Sequence, residues 1–184
     1  LMINFYEITG KNTFLDDAKK VVQKTWDLFF DKNKKILQKN PIEKNDLFVP
    51  PLDINDSNIP NGNSIFLLNC KKLETITNES KWKNMTKELT QSFHSYLNLQ
   101  SIQMVSYVKN LDMCEELTTF TFFGDVNKNK ELQKYVKKNY LKFSTLIYKE
   151  DSKENYLIVC KNQTCSNKIK SLEELKSVEK NYAI

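Results

Sequence analysis

The sequence predicts a mainly α chain whose last third changes to a small α/β unit. Two observations carry that reading. Up to about residue 111 the apolar side chains return at helical spacing, and from Leu117 the pattern becomes β-branched and aromatic, as in a strand. A third excludes other classes: three glycines and four prolines in 184 residues are too few for a collagen-like or linker-like chain.

Leu1 to Ile8 reads as the end of a helix closed by Gly10 at a C-terminal cap, so the chain reads as starting inside a helix, as a fragment would. From Thr13 to Phe30, the residues Phe14, Leu15, Ala18, Val21, Val22, Trp26, Phe29 and Phe30 form one apolar stripe. Asp16 and Asp17 are expected in its first turn, where the helix dipole favours negative charge. Between Lys32 and Gly62 the period breaks around Pro41, Pro50, Pro51 and Pro60, and a structureless stretch of this length is usually functional. Helices follow over 63–77 and from Ser80, the latter with Trp82, Met85, Leu89, Phe93 and Leu97 on one face, and a shorter one over 101–111. They read as antiparallel hairpins joined by tight turns.

Leu117 to Phe123 then reads as a strand ending at Gly124-Asp125, 130–139 as a helix, and 143–148 and 156–160 as two more strands. Ser171 opens a last helix with a capping box, Glu174 standing three residues on. The boundary falls near Met113, giving a helical region 1–112 and an α/β unit 113–184.

Charge and composition exclude several functions. All 28 basic residues are lysine, interspersed with 23 acidic ones for a net charge of +5, so neither the arginine forks nor the clustered charge of a nucleic-acid groove is present. No apolar run approaches the roughly 20 residues of a membrane-spanning helix, and the opening Leu1-Met2-Ile3-Asn4-Phe5-Tyr6-Glu7 does not read as a signal peptide. A mean hydropathy of -0.57 is polar, but 11% aromatic content argues for a folded chain. The sequons at Asn55, Asn78, Asn84 and Asn162 are expected by chance in so asparagine-rich a sequence.

Four stretches in order carry a resemblance. Tyr6-Glu7-Ile8-Thr9-Gly10 is followed by Phe14-Leu15-Asp16-Asp17-Ala18; Asp56-Ser57-Asn58-Ile59-Pro60-Asn61-Gly62-Asn63-Ser64 fits a D-x-x-x-P-S-G-N-S pattern. Phe122-Phe123-Gly124-Asp125 comes next, and Tyr156-Leu157-Ile158-Val159-Cys160-Lys161-Asn162-Gln163-Thr164-Cys165 is similar to an ending Y-V-C-E-N-x-x-C. Together they resemble the C-terminal portion of the spermatogenesis-associated proteins, which join a thioredoxin-like domain to a glycosidase-type helical toroid. Asn61 stands where the family usually has serine, and Lys168 near a position commonly proline. The resemblance implies the terminal hairpins of an (α/α)6 toroid followed by the small α/β unit. Its implied partner is the remaining N-terminal portion of the same protein, thioredoxin-like domain and further toroid helices included, or another chain supplying it. In isolation such an arc would present a large apolar flank.

Two functional expectations follow. In the first, the chain contributes to a carbohydrate-processing cavity: Asp56 is the candidate catalytic carboxylate, Asp53 nearby completes a pair, and Asn63 and Ser64 are candidate ligand-binding residues. The competing structural reading has Asp56 organising its own loop while Asn63 or Ser64 caps the following helix. In the second, the chain is a non-catalytic binding or scaffolding body for the thioredoxin-like domain. Cys160 and Cys165 form a candidate thiol or disulfide pair, readable as a redox pair or as a local staple at a strand end. Their spacing differs from C-x-x-C, and Cys70 and Cys114 lack close partners, so no metal and no cofactor is expected. His94 is the single histidine and reads as a surface residue.

Overall fold

A computed structural model of the chain describes residues 1–42, 54–141, 144–150, 152–162 and 164–182. The elements run in the order α1 (Met2–Thr9), α2 (Asn12–Phe29), β1 (Phe30–Asp31), β2 (Ile36–Leu37), α3 (Gly62–Thr77), α4 (Ser80–Gln100), a 3-10 turn (Ser101–Gln103), α5 (Val105–Glu115), β3 (Thr118–Phe123), α6 (Lys130–Asn139), β4 (Ser144–Lys149), β5 (Tyr156–Lys161), β6 (Thr164–Cys165) and α7 (Leu172–Tyr182). They form two compact units, Thr13–Glu115 and a second made of Leu1–Asn12 with the chain from Glu116 onward.

The Thr13–Glu115 unit is built from helices that fill their own interior. On α4, Trp82, Leu89 and Phe93 are wholly buried and Met85 nearly so, as the spacing predicts. They meet Leu67, Cys70 and Leu73 of α3 and Tyr107 of α5, all without exposed surface, and the Phe93 ring stacks on Tyr107 at 4.6 Å. Trp26 of α2 stacks on Phe30 at 3.6 Å. Because α2 begins at Asn12, Asp16 and Asp17 lie beyond its first turn, not within it.

Between α2 and α3 the chain forms a short antiparallel hairpin, Phe30 opposite Leu37 and Asp31 opposite Ile36. Asp31 makes its turn: Oδ1 accepts from the backbone N–H of Asn33 at 2.8 Å and of Lys34 at 3.1 Å, and Lys35 takes a left-handed φ of 54°. The hairpin was missed in the sequence because two-residue strands are too short to show a period.

The other unit is an α/β layer. Its sheet has the order β4-β3-β5-β6, with β3 parallel to β4 and antiparallel to β5. Phe120, Phe122, Leu146, Leu157 and Val159 supply its buried face, covered by Leu132 and Val136 of α6 and Leu175 of α7. α1 belongs with this sheet: Glu7 Oε1 accepts from Leu146 N at 3.4 Å, Tyr148 Oη donates to the Glu7 carbonyl at 2.7 Å, and Tyr6 packs edge-on against Tyr148. Gly10 caps α1 at φ 72°, its N–H reaching the Tyr6 carbonyl. The capping box at α7 is shifted by one residue: Glu174 N donates to Ser171 Oγ, but the Glu174 carboxylate reaches Lys170 N rather than Ser171 N.

The expected fold class does not hold. Among the described residues seven helices stand with a four-stranded mixed sheet and a two-stranded one, an α/β mix and not the terminal hairpins of an (α/α)6 toroid. The physical reason is in the cores. Helices α3, α4 and α5 close on each other through Leu67, Leu73, Leu89, Phe93 and Tyr107, and α1 joins the sheet instead of extending a helical arc. No helix among the described residues is long and apolar enough to cross a membrane.

Candidate functional site

The loop ahead of α3 gathers the polar residues singled out in the sequence. Asp56 sits at its centre. Its Oδ1 accepts from the Asn61 backbone N–H at 2.8 Å and from the Ser106 hydroxyl, and its Oδ2 accepts from the Ser106 backbone N–H at 2.6 Å. Burial by itself raises this carboxyl, but the hydrogen bonds from Ser106 and Asn61 outweigh it and hold its pKa below the ordinary aspartate value. A carboxylate so held is ionised and accepts three hydrogen bonds from its own unit, and its lowered pKa is the opposite of the raised one that a general acid requires. Asp53 lies outside the described residues.

Asn61, where the resemblance has serine, is the helix cap. Its side-chain oxygen accepts from Asn63 N at 2.8 Å and Ser64 N at 3.3 Å. Asparagine and serine cap about equally well, so this exchange preserves the local function of the turn. The cap is therefore Asn61, and neither Asn63 nor Ser64.

Those two residues point into the protein. Asn63 is 3% exposed, and its amide pairs with both backbone groups of Leu37: Oδ1 accepts from Leu37 N at 2.7 Å and Nδ2 donates to Leu37 O at 2.9 Å. One side chain thus imitates a neighbouring strand and pins β2 to the start of α3. Ser64 is fully buried; its hydroxyl donates to the Asn61 carbonyl at 2.7 Å and lies 2.7 Å from the Ser106 hydroxyl. Asn110 Nδ2 donates to the Ser64 carbonyl at 3.0 Å. Ser106 and Asn110 were missed in the sequence, because nothing local marks a serine or asparagine 42 or 46 residues away as a partner. Beside the cluster, Phe29, Leu37, Phe66, Asn63, Gln38 and Lys39 line a cleft of about 330 Å³.

At the other candidate, Cys160 and Cys165 are joined as a disulfide across directly opposed positions of β5 and β6. The remaining cysteines are buried thiols: burial pushes Cys114 up to about 12 and Cys70 further still. Asp125, just after β3, accepts from Asn127 N at 2.8 Å in a local turn, and Asn129 holds the cap position of α6. His94 is exposed on α4. Among the described residues no group of three or more His, Cys, Asp or Glu converges as a metal site.

Comparison with protein-family models and with curated proteins finds no match to this chain.

Proposed function

We propose that this chain is a non-catalytic binding body, serving the thioredoxin-like domain that the sequence resemblance implies as its partner. The observation that carries this reading is the state of Asp56, whose two oxygens are both committed to donors of the same unit and whose pKa is lowered. A glycosidic acid–base pair needs a carboxyl free to exchange its proton with a ligand. Asn63 and Ser64 are likewise bonded to backbone groups and almost wholly buried, which favours a structural part for both. A further support is the apolar row Ile102, Val105 and Val108, all well exposed in and just before α5. Exposed apolar side chains mark an interaction surface where they join into one patch.

The test is Asp56→Asn. The amide cannot accept as the carboxylate does and sets its own N–H against the Ser106 or Asn61 donor, so stability falls by about 1–3 kcal/mol. Nitrophenyl glycosides are then offered to both proteins. No hydrolysis dependent on Asp56 is expected. Turnover by the wild type that vanishes in a variant with unchanged unfolding returns the carbohydrate-processing reading. The partner is tested separately by titrating a thioredoxin-like domain, with Val105→Asp expected to weaken the complex; absence of any binding removes that partner.

A further inference from the structure

We propose that Cys160–Cys165 is a site of thiol–disulfide exchange, reducible in the folded protein by a dithiol and open to attack at the Cys165 sulfur. The proposal stands apart from the functional reading above. Its first ground is position. β6 is the outer strand of the sheet, two residues long, and both Thr164 and Cys165 are exposed, whereas Cys160 on β5 is only partly so. The flanking Thr164 and Ser166 are short side chains. Exchange requires an incoming thiolate to reach one sulfur in line, and access selects which one.

The second ground is that the segment stays in place without the bond. Beyond Cys165 the chain is held along β5 by Ser166 N to the Val159 carbonyl at 2.8 Å, and by Ser166 Oγ accepting from Val159 N at 3.1 Å. It is held again where Leu157 and Ile169 exchange two backbone hydrogen bonds at 2.8 and 2.9 Å. The disulfide closes a sequence separation of only 5 residues, the range in which a cross-link constrains the unfolded chain least. Oxidised and reduced forms therefore share one fold, which a reversible couple requires. A third ground is isolation. Cys70 and Cys114 are buried in the other unit and stay protonated, so no internal thiol competes.

The chemistry balances with a dithiol as co-reactant. One of its thiolates attacks Cys165 Sγ; the new S–S bond forms as the Cys160–Cys165 bond breaks, and the electron pair leaves on Cys160 Sγ, which takes up a proton. The second thiolate of the reductant attacks its own sulfur in the mixed disulfide, Cys165 departs and is protonated, and the reductant closes its disulfide. Two electrons and two protons have passed to the protein.

The experiment equilibrates the whole chain in reduced and oxidised dithiothreitol at varied ratio, followed by alkylation under native conditions and peptide mass analysis. Cys160 and Cys165 are expected to label together, reversibly, with Cys70 and Cys114 unlabelled and the circular dichroism unchanged. Labelling that demands denaturant, or reduction that unfolds the sheet, overturns the proposal. The attacked sulfur is then assigned on the native disulfide with reduced glutathione, a monothiol, by quenching in acid at early times and mapping the mixed disulfide by peptide mass analysis. Glutathione is expected on Cys165 about tenfold more often than on Cys160, since access selects the sulfur attacked. Equal occupancy, or the reverse order, overturns the assignment of Cys165.

Discussion

The two units satisfy their backbones in different ways. In the sheet unit the main chain of one strand meets the main chain of the next, and β3 is paired over nearly its whole length on both sides. In the Thr13–Glu115 unit each helix satisfies itself, so its neighbours are chosen by side chains. The buried rings and leucines of α3, α4 and α5 set the packing, and a few polar side chains lock it: Asn63 on Leu37, Asp56 on Ser106, Asn110 on Ser64. A strand without a partner leaves a row of unpaired polar groups, whereas a helix without one leaves only an apolar stripe. The sheet unit is therefore organised by backbone geometry, and the helical unit by volume and by a handful of long-range hydrogen bonds.

The largest effect that tests this contrast comes from paired core truncations. Phe93→Ala removes a ring that is fully buried and stacked on Tyr107, and Phe120→Ala removes one that is fully buried at the centre of the sheet; each is expected to cost about 3–5 kcal/mol. Hydrogen exchange should place the first loss in α3–α5 and the second in β3–β5 and α6. A loss spread evenly over all amides by either variant would dissolve the distinction.

A smaller effect isolates backbone geometry. Gly124 has a φ of 86°, and a Cβ there would lie 2.7 Å from the Glu154 carbonyl oxygen and 2.5 Å from Asn155 Oδ1. Gly124→Ala is expected to destabilise the sheet unit by about 1–3 kcal/mol through strain and displacement of that loop, read from denaturant unfolding. A neutral result would mean that the turn after β3 yields freely, and that the sheet depends less on its main-chain path than the contrast claims.

The smallest effect is a pH dependence of the helical unit. Burial acts to raise both Asp56 and Asp31, but hydrogen bonds outweigh it: Ser106 and Asn61 lower the first, and Lys34, Asn33 and Gln38 the second, with the Lys34 charge adding to the latter. A carboxyl whose folded pKa lies below its unfolded one stabilises the fold above the unfolded value of about 4, and loses that contribution as the pH falls through the folded value. Amide protection at the start of α3 and in the β1–β2 turn should therefore decline on acidification through that window. In Asp56→Asn the decline at α3 should flatten, and one that persists unchanged would remove Asp56 as its source.

Much of this was legible beforehand. The helices over α2, α3, α4 and α6, the cap at Gly10, and the strands β3, β4 and β5 follow from period, propensity and turn residues, all of which act within a few positions of the chain. Phe143, which the sequence includes in the second strand, lies outside the described residues. The candidate site was legible only in part. The Asp56 to Ser64 stretch was found, but its meaning lay in Ser106, Asn110 and Leu37, which contribute nothing recognisable locally.

Local spacing by itself located the long helices and the strands β3, β4 and β5, though not the β1–β2 hairpin or β6, and composition by itself left the chain without any arginine. Only the tertiary structure decided that α1 joins the sheet, that α3, α4 and α5 close around their own core instead of continuing a ring, that Asp56 is held by Ser106 and Asn61, and that Cys160 faces Cys165 across a strand pair. The reason is one of range. Periodicity and caps are written in bonds between residues a few places apart, whereas packing partners and hydrogen-bond partners 26, 46 or 139 residues away come together only when the whole unit has closed.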